Sequence, residues 1–141
     1  MKTTALVLIK PDALHRKLIG FVINCLEMND LVVERVEMRV PDDSLLKDHY
    51  KPHEGKDFFD GLIQSMSGKK LIAMIVSSET SPAWVAGSDI GPSPAWVAGR
   101  YAVEAARSIL IKGHPRYENL IHCSDSESEA KREEAIWFPN S

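Results

Sequence analysis

Cysteine is nearly absent. It occurs twice in 141 residues, at Cys25 and Cys123, and in no CxxC pair or cysteine–histidine spacing suited to zinc. That excludes a disulfide-stapled scaffold and reads as two reduced thiols in an intracellular, cytoplasmic protein. Long apolar runs are missing too: none approaches the ~20 residues a membrane helix needs. The opening MKTTALVLIKPD has too short an apolar stretch for a signal peptide, and it runs into Lys10-Pro11-Asp12 rather than a small-residue cleavage site. Charge of one sign is scarce, with 17 basic against 20 acidic residues. A net charge of −3 offers neither nucleic acid nor an anionic membrane a broad attraction. Aromatics make up only 7%, and no strand gathers enough of them to stack bases as an RNA-binding sheet would.

What is present is an ordinary globular mixture, 44% apolar and 26% charged, of a length that suits one domain over residues 1–141. Residues 3–9 (TTALVLI) form an almost continuous apolar run, as a central strand buried on both faces does. Residues 14–28 place Leu14, Leu18, Ile19, Val22, Ile23 and Leu26 at helical spacing, and Asn29-Asp30 closes that helix. Residues 31–40 alternate apolar and charged side chains, predicting a half-buried strand. Pro41-Asp42-Asp43-Ser44 opens a helix to about Tyr50, and residues 58–66 predict another. Residues 71–76 (LIAMIV) read as a buried strand, 101–112 as a helix and 119–123 as a short strand. Residues 127–135 form a charged helix, with Ser126 and Glu129 at capping-box spacing. Strands separated by helices predict an α/β sandwich of the split-βαβ, ferredoxin-like kind, a four-stranded antiparallel sheet with helices packed on it.

Three stretches carry candidate chemistry. In NLIHCSDS, His122 ends an apolar strand just before a helix. On its own it reads as a packed core histidine. Ser124, Asp125 and Ser126 beside it lie at a helix N-terminus, where free N–H groups and the helix dipole favour phosphate. An imidazole facing such a site can attack phosphorus if a partner fixes its tautomer. Glu133 on the following helix is placed to be that partner, or is one more exposed carboxylate. In IKPD, Lys10 leaves the first strand as a compact charge suited to phosphate, or as a solvated loop lysine. In HYKPHEGKDFF, Tyr50 offers a hydroxyl and Phe58 a flat face for a base, whereas Phe59 reads as core. His49 and His53 are four apart, a metal-compatible helical spacing. Pro52 and Gly55 disturb that helix and no third ligand is evident, so no zinc site is expected.

Together these pieces resemble the nucleoside diphosphate kinases. The matching stretches are LVLIKPDA, LIGFVINCLE, HYKPHEGKDFFDGLIQSMSG, LIAMIV and NLIHCSDSESEAKREEAIWF, in that order. The resemblance implies the ferredoxin-like fold and transfer of a γ-phosphate from a nucleoside triphosphate to a nucleoside diphosphate through a phosphohistidine, with Mg²⁺ carried on the nucleotide. It implies His122 as nucleophile, Glu133 as the acid that orients it, and Ser124 and Tyr50 as hydroxyls near the histidine and the moving phosphoryl group. Lys10 and Asn119 match residues that reach the sugar and phosphates, and Phe58 and Leu62 the pair that sandwiches the base. It also implies a homo-oligomer, hexamer or tetramer.

The segment from about 77 to 118 departs from the family pattern. SPAWVAG occurs there twice, at 81–87 and 93–99. In the family this region supplies two arginines and a threonine to the phosphates. Here Gly87 and Ala98 stand where the arginines belong, and Ser93 takes the place of the threonine. Arg100, two residues further on, is the nearest replacement. Three readings stay open: an active kinase with a rebuilt phosphate loop, a weak or inactive nucleotide-binding homologue on the same scaffold, or a written sequence that departs from the natural one over 81–99.

Overall fold

The computed structural model describes residues 2–84 and 121–140. Four strands form one sheet: β1 (Thr3–Ile9), β2 (Val32–Arg39), β3 (Leu71–Ser78) and β4 (Ile121–Cys123). They lie in the order β2-β3-β1-β4, and every neighbouring pair is antiparallel. β3 is thus inserted between β1 and β2, the split arrangement expected from the sequence.

Helices cover both faces of the sheet. Because successive side chains point to opposite sides, β1 divides its run between two cores. Ala5, Val7 and Ile9 join Ile72, Met74 and Val76 of β3 against Val22 and Leu26 of α2 (Ile19–Met28). Leu6 and Leu8 join Leu71, Ala73 and Ile75 against α3 (Asp43–His49), α4 (Phe59–Met66) and α5 (Glu127–Trp137), including Leu46, Ile63, Met66 and Trp137. Two-sided burial is why these strands read as continuous apolar runs rather than alternating ones.

Two sequence expectations need correction. The helix predicted over 14–28 is two helices, α1 (Pro11–His15) and α2. Pro11 does not merely end the strand; it starts α1 at the first helical position, where its missing N–H costs nothing. Lys17 takes a left-handed backbone (φ 61°), while Leu18 N–H reaches Ala13 O and Lys17 N–H reaches Leu14 O. That pattern is a Schellman ending with lysine in the glycine position, and the periodicity of apolar residues does not reveal it. α2 ends the same way on Asp30 (φ 64°), as Asn29-Asp30 promised.

The second correction concerns β2, expected to be half-buried. It is an edge strand, and Val32, Val36 and Met38 are exposed. A register shift between Val33 and Arg35 lets Val33, Val36 and Met38 all pair with β3 residues that face α2, a placement that strict alternation does not give.

The remaining ends behave as their residues predict. Asp42 caps α3 by accepting the Leu45 N–H, and Ser126 caps α5 by accepting that of Glu129. α3 stops at His49, followed by a 3₁₀ turn (Lys51–His53) and by Gly55 at φ +88°. Phe59 packs in the core as expected. No described helix is long and apolar enough to cross a membrane. The helix expected over 101–112 lies outside the described residues.

Candidate active site

Strand pairing brings the candidate residues to one end of one face. His122 pairs with Leu8 across the β1–β4 ladder, and paired residues share a face. Both therefore face α3 and α5. Lys10 follows β1 directly, on the same parity as Leu6 and Leu8. Its side chain is buried, with Nζ 5.8 Å from the centre of the Tyr50 ring. Tyr50 caps the end of α3, its ring 6.3 Å from that of His122.

His122 keeps 21% of its side chain exposed, while Glu133 keeps 5%. Their contact is His122 Nε2 to Glu133 Oε1 at 2.8 Å. A carboxylate only accepts, so Nε2 carries the proton and the lone pair of a neutral imidazole lies on Nδ1. The same Oε1 takes a second bond, 2.9 Å, from the Ser124 hydroxyl. Ser124 is fully buried and also accepts from Leu6 N–H at 3.0 Å. Its oxygen lies 3.3 Å from Leu6 O as well. The single hydroxyl proton favours the carboxylate, which is nearer and charged. Ser124 therefore holds Glu133, the partner of His122, from inside the protein.

Burial shapes the ionisable groups. It pulls Lys10 down from its ordinary value to about 8. It pushes the Tyr50 hydroxyl up, helped by the negative charge of Glu133, so Tyr50 stays protonated. Its hydroxyl donates to Met66 Sδ at 3.4 Å, a weak acceptor that a better one can displace.

Phe58 is 38% exposed at the start of α4, and Leu62 one turn later is 4% exposed. They share a helix face, but Phe58 offers the open surface while Leu62 belongs mainly to the core. Nζ of Lys56 lies 5.7 Å from the centre of the Phe58 ring, and the His53 ring packs beside it at 5.4 Å, tilted by 56°. The N-terminus of α5, expected to attract anions, is already served by the Ser126 cap and by Glu127 and Glu129 in its first turn. Asn119, Ser93 and Arg100 lie outside the described residues, as do Gly87 and Ala98.

Three more side chains belong to this neighbourhood, and local sequence assigns none of them to it. His49 is 2% exposed and packs its ring 4.6 Å from that of His122. Trp137 Nε1 donates to His49 Nδ1 at 3.0 Å. Arg132 donates to the carbonyls of Asp48 and His49, both at 2.9 Å, closing the last turn of α3. Arg132, Glu133 and Trp137 come from one helix that reads as merely charged, and a period of 3.6 does not say what its buried side will touch.

His49, His122 and Glu133 each place one potential ligand atom within 4.8 Å of the others. Mg²⁺ prefers an octahedral shell of oxygens and waters, so two imidazoles and one carboxylate do not fit it. The donor set matches no resident Mg²⁺ site.

The family model described as nucleoside diphosphate kinase matches residues 3–141. Curated relatives include the nucleoside diphosphate kinases of Mycobacterium tuberculosis H37Rv, 36% identical, and Mycobacterium leprae, 37% identical. Each alignment covers 99% of this chain and 98% of the relative. Among solved structures, a halophilic nucleoside diphosphate kinase from Halobacterium salinarum in complex with CDP is 29% identical. It superposes with a TM-score of 0.75 over 99% of this chain and 90% of that one. The apo enzyme from Encephalitozoon cuniculi has the same fold at TM-score 0.76 and 24% identity, over 96% of this chain and 88% of that one. The chain belongs to the nucleoside diphosphate kinase family.

Proposed function

We propose that the protein transfers the γ-phosphoryl group of a nucleoside triphosphate to a nucleoside diphosphate through a phosphohistidine at His122. The observation that carries this reading is the 2.8 Å bond from His122 Nε2 to Glu133, which leaves Nδ1 as the nucleophilic nitrogen. The Nδ1 lone pair attacks the γ-phosphorus. The N–P bond forms as the bond from phosphorus to the β–γ bridging oxygen breaks, and the diphosphate leaves with that electron pair. Nε2 keeps its proton, and Glu133 offsets the positive charge that develops on the ring. A second nucleoside diphosphate then attacks the phosphohistidine through a terminal oxygen, reversing the path at the same site.

Lys10 and Tyr50 are placed to meet the phosphates beside His122, and Phe58 with the edge of Leu62 offers an apolar face that any base can stack on. Asn119 completes the set on the strength of the family pattern, with Ser93 in the place of its threonine and Arg100 as the nearest replacement for a missing arginine. Mg²⁺ enters as part of the substrate, held by phosphate oxygens and water, and screens charge during transfer. The protein works as a homo-oligomer. The exposed Val32, Val36 and Met38 of β2, the outermost strand among the described residues, support this, since such an edge invites a second strand. Residues 1–141 act as one domain.

Incubation with γ-labelled ATP and Mg²⁺ tests the central claim. An acid-labile, alkali-stable label is expected on the protein. It passes to added CDP or GDP and is absent in His122→Ala. Nucleotide binding without label in the unsubstituted protein sinks the transfer reading and leaves a nucleotide-binding homologue, as the Gly87 and Ala98 positions would then require.

A further inference from the structure

His49 is a buried imidazole that the reaction as written does not use. Three points of α5 control its position. Arg132 binds its backbone carbonyl, Trp137 binds its ring nitrogen, and Glu133, between them in sequence, binds the neighbouring ring of His122. Its ring contacts are edge-on: 4.4 Å to Tyr50, 4.6 Å to His122 and 5.6 Å to Trp137. An indole nitrogen only donates, so His49 Nδ1 must accept and Nε2 must carry the proton. That proton has no hydrogen-bond partner among the described residues, an uncommon state for a buried polar atom.

The tautomer also decides against a metal. His49 Nδ1 gives its lone pair to the Trp137 N–H and Nε2 carries the proton, so neither nitrogen is free for a cation shared with His122 and Glu133. What remains is a neutral ring whose shape and fixed tautomer bear on the nucleophile.

We propose that His49 is a positioning residue for the nucleophile: the Trp137 indole sets its tautomer, and its ring braces that of His122 edge-on, keeping His122 Nε2 on Glu133 and Nδ1 turned toward substrate. This rests on the phosphohistidine reading above. Without the brace, the His122 ring is freer to rotate about χ2 or to exchange the proton between its nitrogens. Either motion takes Nδ1 off its line of attack without altering how nucleotide binds. Charge near His49 comes from every side: Lys10 at the end of β1, His53 in the 3₁₀ turn, His122 on β4, and Arg132 with Glu133 on α5. Burial first, then the nearby cationic groups, holds the His49 ring well below its ordinary pKa, so it stays uncharged while His122 reacts.

The test compares the unsubstituted protein with His49→Ala, His49→Phe and Trp137→Phe. Phosphoenzyme formation from ATP·Mg²⁺ is followed by rapid mixing, ADP·Mg²⁺ affinity by titration, and the His122 tautomer by ¹⁵N NMR. His49→Ala is expected to slow phosphoenzyme formation by about 10²-fold, the scale of an ångström-sized misplacement, with ADP affinity unchanged and a mixed tautomer at His122. His49→Phe restores part of the rate by restoring the ring. Trp137→Phe, which keeps His49 but frees its tautomer, gives a smaller loss in the same direction. An unchanged rate in folded His49→Ala overturns the proposal. Rate and affinity falling together overturn it as well, since His49 would then build the nucleotide pocket. If His49→Ala does not fold, Trp137→Phe decides: an unchanged rate and tautomer overturn the proposal. If even the unsubstituted protein takes no label, the transfer reading fails, while the NMR comparison still judges the brace.

Discussion

The two faces of the sheet are built from the same strands and differ in what they are for. Toward α2, the described core is built of aliphatic side chains and alanines from β1, β3 and the helix, with the Cys123 thiol at its margin. Toward α3, α4 and α5, equally buried leucines and methionines run up to a cluster of Tyr50, His49, His122, Glu133, Ser124 and Trp137 at one end of the strands. The first face contributes only apolar burial, which is tolerant of substitution if volume is kept. The second adds a chain of directed bonds in which each group fixes the next, and a displaced atom there is felt chemically. Stability and reactivity should therefore separate by face.

The largest effect expected is on the reactive face. His122→Ala should abolish the acid-labile label and reduce transfer by at least on the order of 10⁴-fold, while the melting temperature barely moves, because the ring is partly exposed. Next comes Glu133→Gln. The amide keeps the shape but not the charge that offsets a developing imidazolium. Steady-state turnover should fall about 10²–10⁴-fold, the range of a lost acid–base partner, with KM for nucleotide little changed. An unchanged turnover would show that the 2.8 Å contact is packing alone and would erase the contrast between the faces.

How the sequence exposes these two faces differs in the same way. The cores are legible, because residues 5–9 and 71–76 are apolar throughout and only a strand covered on both sides needs that. His122, Glu133 and Lys10 were legible as candidates because IKPD and HCSDS sit at strand ends, where a short motif can speak for a site. His49 was not. Four residues from His53, it suggests in sequence only a metal pair that Pro52 and Gly55 disfavour, since its real partners, Trp137 and His122, are 88 and 73 positions away in the chain. Local spacing carries no information about contacts made across the fold. The same reason hid the second role of Ser124, whose bond to Glu133 depends on how α5 lies over β1. The break at Lys17 and the register shift in β2 escaped for a different cause. Both are backbone devices that apolar periodicity does not encode.

The face toward α2 supplies the converse experiment. Leu26→Ala removes a fully buried side chain from it. The loss of transfer energy plus a residual cavity should cost about 2–5 kcal/mol, read as a lower denaturant midpoint with an unchanged m-value. Under conditions where the variant remains folded, the rate of phosphoenzyme formation should match that of the unsubstituted protein. A variant that is both less stable and slower would mean the sheet transmits strain from one face to the other.

The smallest effect expected is a pH dependence confined to the reactive face. Lys10 titrates near 8 because burial disfavours its charged form. Below that pH it is an ammonium that a nucleotide phosphate can pair with, and above it a neutral amine. Phosphate completes its second ionisation near 6, so the ligand charge is constant in this range and only the lysine changes. Affinity for ADP·Mg²⁺ should therefore fall as pH rises through about 8, by no more than about tenfold per pH unit for one linked proton. Bound phosphate in turn draws the Lys10 pKa upward, so binding near pH 8 takes up a proton, measurable as a buffer-dependent enthalpy in calorimetry. Burial holds Tyr50 protonated and His49 neutral, so neither contributes to that change between about pH 7 and 9. Lys10→Met should bind more weakly at pH 7 and show a flat profile above it. If that variant keeps the slope, the titrating cation lies elsewhere, and Lys10 belongs with the packing residues of β1 rather than with the site.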